Sequence, residues 1–224
     1  MPIRLAIVDD NDSLRKHLRQ QCTFYPDIIF VGEFSTGEQA LEMLRTLSPD
    51  QHPHIILMDI ELPKMSGIET AFIVKELFPE VDILMLTVFE DSEKIFQSIQ
   101  AGAAGYILKD ESFDEIVAAI RELHAGGAPM SSTIAQKVLG MLRTSHHASH
   151  DHRLAASEPI EFSLSEREHE LLEGLVCGDT YTVLADKLFI SPHTVRTHIK
   201  NIYKKLHVHS RVMAVRVALE HRLV

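Results

Sequence analysis

Five side chains from well-separated stretches of a 224-residue chain share one kind of position: each stands at or near the end of a short apolar run. They are Asp9 and Asp10, Asp59, Thr87 and Lys109. Carboxylates gathered in one place repel and raise one another's pKa unless a cation joins them. Mg2+ suits such a set, because it takes oxygen ligands, keeps several waters and binds phosphate oxygens. A carboxylate is also a nucleophile able to form an aspartyl phosphate. Lys109 can then pair with the phosphoryl charge, and Thr87 can donate a hydrogen bond to a phosphoryl oxygen. Any one strand-end acid is explained by solvation of a sheet rim. All five at matching positions are not.

For these groups to meet, the runs must be neighbouring strands. The runs at 3–9, 28–34, 54–59, 82–88 and 105–109 are rich in Ile, Val and Leu and nearly continuous, as in strands buried on both faces. Between them, 12–24, 37–47, 67–78, 92–101 and 112–125 carry apolar residues at helical spacing, for example Ile116, Ile120 and Leu123. Five such repeats predict an α/β fold, a doubly wound five-stranded parallel sheet with helices on both faces. Ligands bind such sheets at the carboxyl ends of the strands, where the five residues fall. This domain is expected over 1–125.

Gly126-Gly127 breaks the pattern. A linker is expected over 126–159, with a helix at 133–143, and only helical signals follow over 160–224. The composition, 45% hydrophobic and 24% charged, is globular. No run approaches a membrane span and the N-terminus lacks a signal-peptide core, which predicts a cytoplasmic protein. Cys22 and Cys177 read as reduced thiols. The net charge of −10 argues by itself against nucleic acid, but its distribution reverses that: 191–224 holds seven Lys and Arg against Glu220 alone, or +6, leaving −16 elsewhere.

The second domain begins with a capping box at Ser165–Glu168, and Ser191-Pro192 supplies an N-cap and first-turn proline for its third helix. There Val195, Ile199, Ile202 and Leu206 form a buried stripe, while Arg196, Thr197, Lys200 and Lys204 share another face. An apolar anchor with a cationic, hydrogen-bonding face suits a helix that enters a major groove. A solvated charged face is the plainer alternative, which the preceding short helix and tight turn argue against.

Two resemblances follow from these residues. Asp9-Asp10, the Asp59-Ile-Glu-Leu-Pro63-x-x-x-Gly67 block, Thr87 and Tyr106-x-x-Lys109 resemble the CheY-like receiver domain of two-component response regulators, of flavodoxin-like fold. Leu164-Ser-x-Arg-Glu168, Ser191-x-x-Thr-Val-Arg-x-His198 and Asn201-Ile-x-x-Lys-Leu206 resemble the LuxR-type (NarL/FixJ) four-helix, helix-turn-helix domain. The first resemblance implies Asp59 as phospho-acceptor. It also implies Mg2+ held by Asp10, Asp59 and the Glu61 backbone carbonyl, with Asp9 assisting, and Pro63 and Gly67 as shapers of the loop. Tyr106 would be a switch aromatic that turns inward when Thr87 moves; an ordinary outer-strand tyrosine remains the alternative.

The second resemblance implies DNA contact by Thr194, Arg196, Thr197 and Lys200 and phosphate contact by Lys204 and Lys205. It also implies a dimer interface at Val212, Val215 and Leu219, for which packing within the domain is the alternative. The partners implied are a sensor histidine kinase, operator DNA and a second copy of the chain after phosphorylation, in a regulator rather than a turnover enzyme. One departure stands out: Tyr181-Thr-Val-Leu replaces the polar stretch usual before the turn. It either alters backbone contacts to DNA or docks on the receiver.

Two competing functions are weighed. An Asp-nucleophile phosphatase needs a second acid two residues on, followed by Thr or Val, and Glu61-Leu62-Pro63 fits that poorly. A small-molecule-sensing LuxR-type regulator would lack the receiver set. His146, His147, His150 and His152 read as a solvated linker rather than a metal site, for want of firmly spaced companion ligands.

Overall fold

The near-continuous apolar runs become strands because both of their faces are covered. The computed structural model describes residues 2–88, 91–138, 162–208 and 210–224. Strands β1 (Ile3–Val8), β2 (Ile28–Phe34), β3 (Ile55–Met58), β4 (Asp82–Thr87) and β5 (Gly105–Leu108) form one sheet in the order β2-β1-β3-β4-β5. Every pairing is parallel. The order reverses between β1 and β3, which opens a crevice at their carboxyl ends.

Alternation along β1 sorts the core. Ala6 and Val8 face a cluster completed by α2 (Gly37–Thr46), α3 (Gly67–Leu77) and α4 (Ser92–Gln100). Leu5 and Ile7 face the opposite cluster, built with α1 (Asp12–Cys22) and α5 (Phe113–His124). Side-chain caps start these helices: Asn11, Thr36 and Asp91 accept from backbone amides, and Ser66 and Ser112 form capping boxes.

Three strands stop one residue short of their expected polar ends, yet Asp9, Asp59 and Lys109 stay on the frame. Their amides donate to Phe34, Val8 and Thr87 carbonyls at 3.0, 2.9 and 2.8 Å. The sheet ladder therefore fixes three functional backbones that lie just beyond it.

The helix expected at 133–143 is seen over 132–138, and its remainder and the four linker histidines lie outside the described residues. The C-terminal domain contains α6 (Glu166–Val176), α7 (Tyr181–Leu188), α8 (Pro192–Leu206) and α9 (Arg211–Glu220). Its core holds the whole expected stripe, Val195, Ile199, Ile202 and Leu206, together with Leu171, Leu172, Leu175 and Leu184. On α9 the buried positions are Ala214 and Ala218. Val212 leans on the core of the first domain, Val215 on that of the second, and Leu219 is 58% exposed. Small residues let α9 approach α6 and α8 on its alanine side. Cys22 and Cys177 are free thiols. Among the described residues no helix is long and apolar enough to cross a membrane.

Candidate functional site

Asp9, Asp10 and Asp59 converge at the β1–β3 crevice, with one carboxylate oxygen from each lying within 4.8 Å of the others. Asp9 is 1% and Asp59 5% exposed, while Asp10 faces solvent. Lys109 reaches in from the end of β5, its Nζ 2.6 Å from Asp9 Oδ2 and 2.8 Å from Asp59 Oδ2. Burial works against the Lys109 ammonium, but the hydrogen bonds it donates to Asp59 and Asp9 outweigh it and raise its pKa. Burial also raises the Asp59 pKa, against the lowering effect of Lys109.

Three carboxylates against one ammonium leave two negative charges uncompensated in a mostly buried place, which is costly without a counterion. Asp59 Oδ1 is buried without a hydrogen-bond partner. An all-oxygen set with an unsatisfied buried lone pair fits a small divalent cation.

Thr87 and Tyr106 are both buried, on adjacent strands, with Met85 paired to Tyr106 and Thr87 to Leu108. The Tyr106 ring thus lies inward in this conformation, and burial raises its phenol pKa. Glu61 follows Asp59 on the loop, and its side chain binds Lys94 Nζ at 2.5 Å. Gly67 shapes this loop as expected: a Cβ there would fall 1.7 Å from the Asp59 carbonyl oxygen, so only glycine lets α3 begin so close.

The second constellation lies on α8. Thr194 is tied to the Ser191 cap at 2.8 Å, and the Thr197 hydroxyl donates to the His193 carbonyl. Lys205 pairs with Glu168 at 2.6 Å, whereas Lys204 has no carboxylate partner among the described residues. Arg196 and Lys200 both turn to the first domain. Arg196 Nη2 donates to His124 O at 2.5 Å, and Lys200 Nζ lies 3.4 Å from Glu80 Oε2. Arg196 also lies over the Tyr181 ring, 5.7 Å from its centroid. Two side chains expected to meet DNA are therefore engaged across the domain boundary. Their acceptors, a helix-end carbonyl and Glu80, carry no sequence signature and were missed.

Beside that contact His54 and His124 stack with ring centroids 5.0 Å apart, and the Arg4 amide donates to His54 Nδ1. Burial first, then nearby Arg4 and Arg196, lower both pKa values to about 4. The unfolded chain titrates them near 6.5, so it binds more protons than the folded chain between pH 6.5 and about 4. Stability should fall on acidification through that window and level off below it. Denaturant midpoints of the wild type and a His54→Asn variant should diverge across the window; parallel curves contradict the assignment.

The two constellations agree with comparisons to known proteins. Residues 5–121 match the family described as response regulator receiver domain, and 162–218 match bacterial regulatory proteins of the luxR family. The transcriptional regulatory protein LiaR of Bacillus subtilis (strain 168) is 37% identical over 223 residues, spanning 99% of each chain. The nitrate/nitrite response regulator protein NarL of Escherichia coli (strain K12) is 30% identical over 213 residues, 95% of this chain and 93% of that one. Among solved structures, the response regulator ChrA of a heme-sensing two-component system matches at 30% identity with a TM-score of 0.51, over 100% of this chain and 99% of that one.

Proposed function

The chain belongs to the response regulators that join a receiver to a LuxR-type DNA-binding domain, and from that premise we propose that phosphorylation of Asp59 by a sensor histidine kinase controls its binding to operator DNA. It is a regulator of transcription rather than a turnover enzyme. The receiver match occupies the place where a small-molecule sensor domain would stand. The observation that carries the proposal is the Lys109 ammonium held between the Asp9 and Asp59 carboxylates at the end of the sheet.

The Asp59 oxygen attacks phosphorus, the donor's P–N bond breaks, and the phosphohistidine imidazole leaves and takes up a proton. An acyl phosphate forms on Asp59. Lys109 exchanges a carboxylate partner for a phosphoryl oxygen, and the Thr87 hydroxyl donates to another. Asp9, Asp10, Asp59 and the Glu61 carbonyl would hold Mg2+, which when bound supplies charge neutralisation for the transferring group. Tyr106 follows Thr87 as the packing changes.

The domain bounds proposed are 1–125, 126–159 and 160–224. Arg196, Thr197 and Lys200 meet base edges, Thr194 also contacts the DNA, Lys204 and Lys205 meet phosphates, and Val212, Val215 and Leu219 contribute to a homodimer formed on phosphorylation. The work is done in the cytoplasm, where the duplex is. The experiment is operator affinity with and without a small phosphodonor and Mg2+. Affinity should rise on phosphorylation and fall steeply with salt, with a log–log slope of about −0.9 per phosphate contacted. Equal affinity in both states defeats the proposal.

A further inference from the structure

We propose that Gly126–Ser131 is a strap carrying the state of the receiver to the recognition helix, with Tyr181 as the latch it releases; this deepens the function proposed above and rests on it. The argument begins with the end of α5. A helix leaves its last carbonyls without partners. Here Gly126 N donates to Leu123 O and Gly127 N to Glu122 O, both at 2.9 Å, with Gly126 at φ +88°. That turn leaves the next three carbonyls, of His124, Ala125 and Gly126, pointing onward.

All three are taken by donors of the DNA-binding domain. Arg196 Nη2 takes His124 O at 2.5 Å, Tyr181 N takes Ala125 O at 2.9 Å, and Arg211 Nη1 takes Gly126 O at 2.7 Å. Tyr181 is the first residue of α7, so an unpaired amide of one helix start meets an unpaired carbonyl of another helix end. Two guanidinium groups also suit the negative end of the α5 dipole.

The Tyr181 ring holds this junction closed. A Cβ on Gly126 would lie 2.2 Å from Tyr181 Cγ, so the ring fills a notch that only glycine leaves open. Its hydroxyl shares a hydrogen bond with Tyr203, close to the buried Lys75, whose Nζ lies 3.7 Å from the partly buried Asp82. Tyr181 lies where the sequence departs from the family pattern, and the structure places it on the receiver.

The far end of the strap is fastened to β5. Tyr106 N donates to Pro129 O at 2.9 Å, Ser131 N donates to Tyr106 O at 3.3 Å, and Met130 bridges Tyr106 in parallel. Ile134 is buried in the same core as Tyr106, Ile95 and Ile99, with Val212 and Met213 of α9 packed on that core. Only Gly127, Ala128 and Pro129 separate the notch from the bridge. A shift of β5 at Tyr106 therefore reaches Gly126 with little slack, expels the ring and frees Arg196 for DNA.

The test uses the full chain, beryllofluoride with Mg2+ as activator, and a duplex selected by the activated protein from a random-sequence pool. Tyr181→Ala should raise the affinity of the unactivated protein about tenfold or more while leaving beryllofluoride uptake intact, and Tyr181→Phe should stay near wild type. Two glycines inserted between Gly127 and Ala128 should keep the latch closed and make affinity insensitive to beryllofluoride. Without any mutation, the Tyr181 amide should be protected from hydrogen exchange and lose protection on activation. The latch is refuted if Tyr181→Ala binds no better than an unactivated wild type that does respond, or if the amide stays protected. The strap is refuted if the insertion variant responds like wild type. A wild type that takes up no beryllofluoride, or binds DNA equally in both states, refutes the underlying function instead.

Discussion

Asp59→Asn should reduce phosphate uptake from a small phosphodonor to background and leave the unactivated DNA affinity unchanged. The amide oxygen can still accept from Lys109, which lies 2.8 Å from Asp59 Oδ2, so the local geometry should survive. What disappears is the anionic nucleophile. The folded protein should not suffer. Burial raises the Asp59 pKa, so holding the carboxylate ionised costs more there than in water. Replacing it with a neutral isostere removes one of the two uncompensated charges, and the thermal midpoint at neutral pH should rise. Labelling at the wild-type level, measured by mass or radiolabel, would show that Asp59 is not the acceptor. A lowered midpoint would show that its negative charge is structural.

The second large effect is expected at Lys200. Lys200→Ala should weaken operator binding by about 1–3 kcal/mol, the value of a good base-edge contact, with phosphorylation untouched. The same side chain lies 3.4 Å from Glu80 across the domain boundary, and half of it is exposed. An exposed pair of that kind is worth about 0–1 kcal/mol, so the lost DNA contact should dominate even though the closed arrangement is slightly loosened. Affinities for a matched and a mismatched duplex separate the possible roles. A base-edge contact lowers discrimination between them, whereas a phosphate contact lowers both equally and reduces the salt slope by about one. Full affinity in the variant removes Lys200 from the interface. Lys205→Ala should do less than Lys204→Ala, because Lys205 already has a partner in Glu168 at 2.6 Å.

Most of the first site was legible in the chain because the strand-end rule is local. A strand buried on both faces tolerates polar residues only where it leaves the sheet. Asp9, Asp59, Thr87 and Lys109 therefore announced themselves by interrupting apolar runs. The recognition helix was legible for a similar reason: the buried stripe from Val195 to Leu206 fixes by elimination which face carries Arg196, Thr197 and Lys200. On α9 the packing within the domain was not legible, since a pattern of large apolar residues ignores alanines, and Ala214 and Ala218 are what α9 buries.

The amino-acid order by itself determined the strands, the helices, the acidic pocket and the cationic helix face, because each follows from periodicity or from charge at a fixed spacing. Tertiary structure alone decided how the two domains meet. The acceptors for Arg196, Tyr181 and Arg211 are the backbone carbonyls of His124, Ala125 and Gly126. Every residue carries such a carbonyl, so no side-chain pattern marks these three. They become binding groups only because α5 ends there and the chain turns away, leaving them unpaired until the other domain's donors arrive.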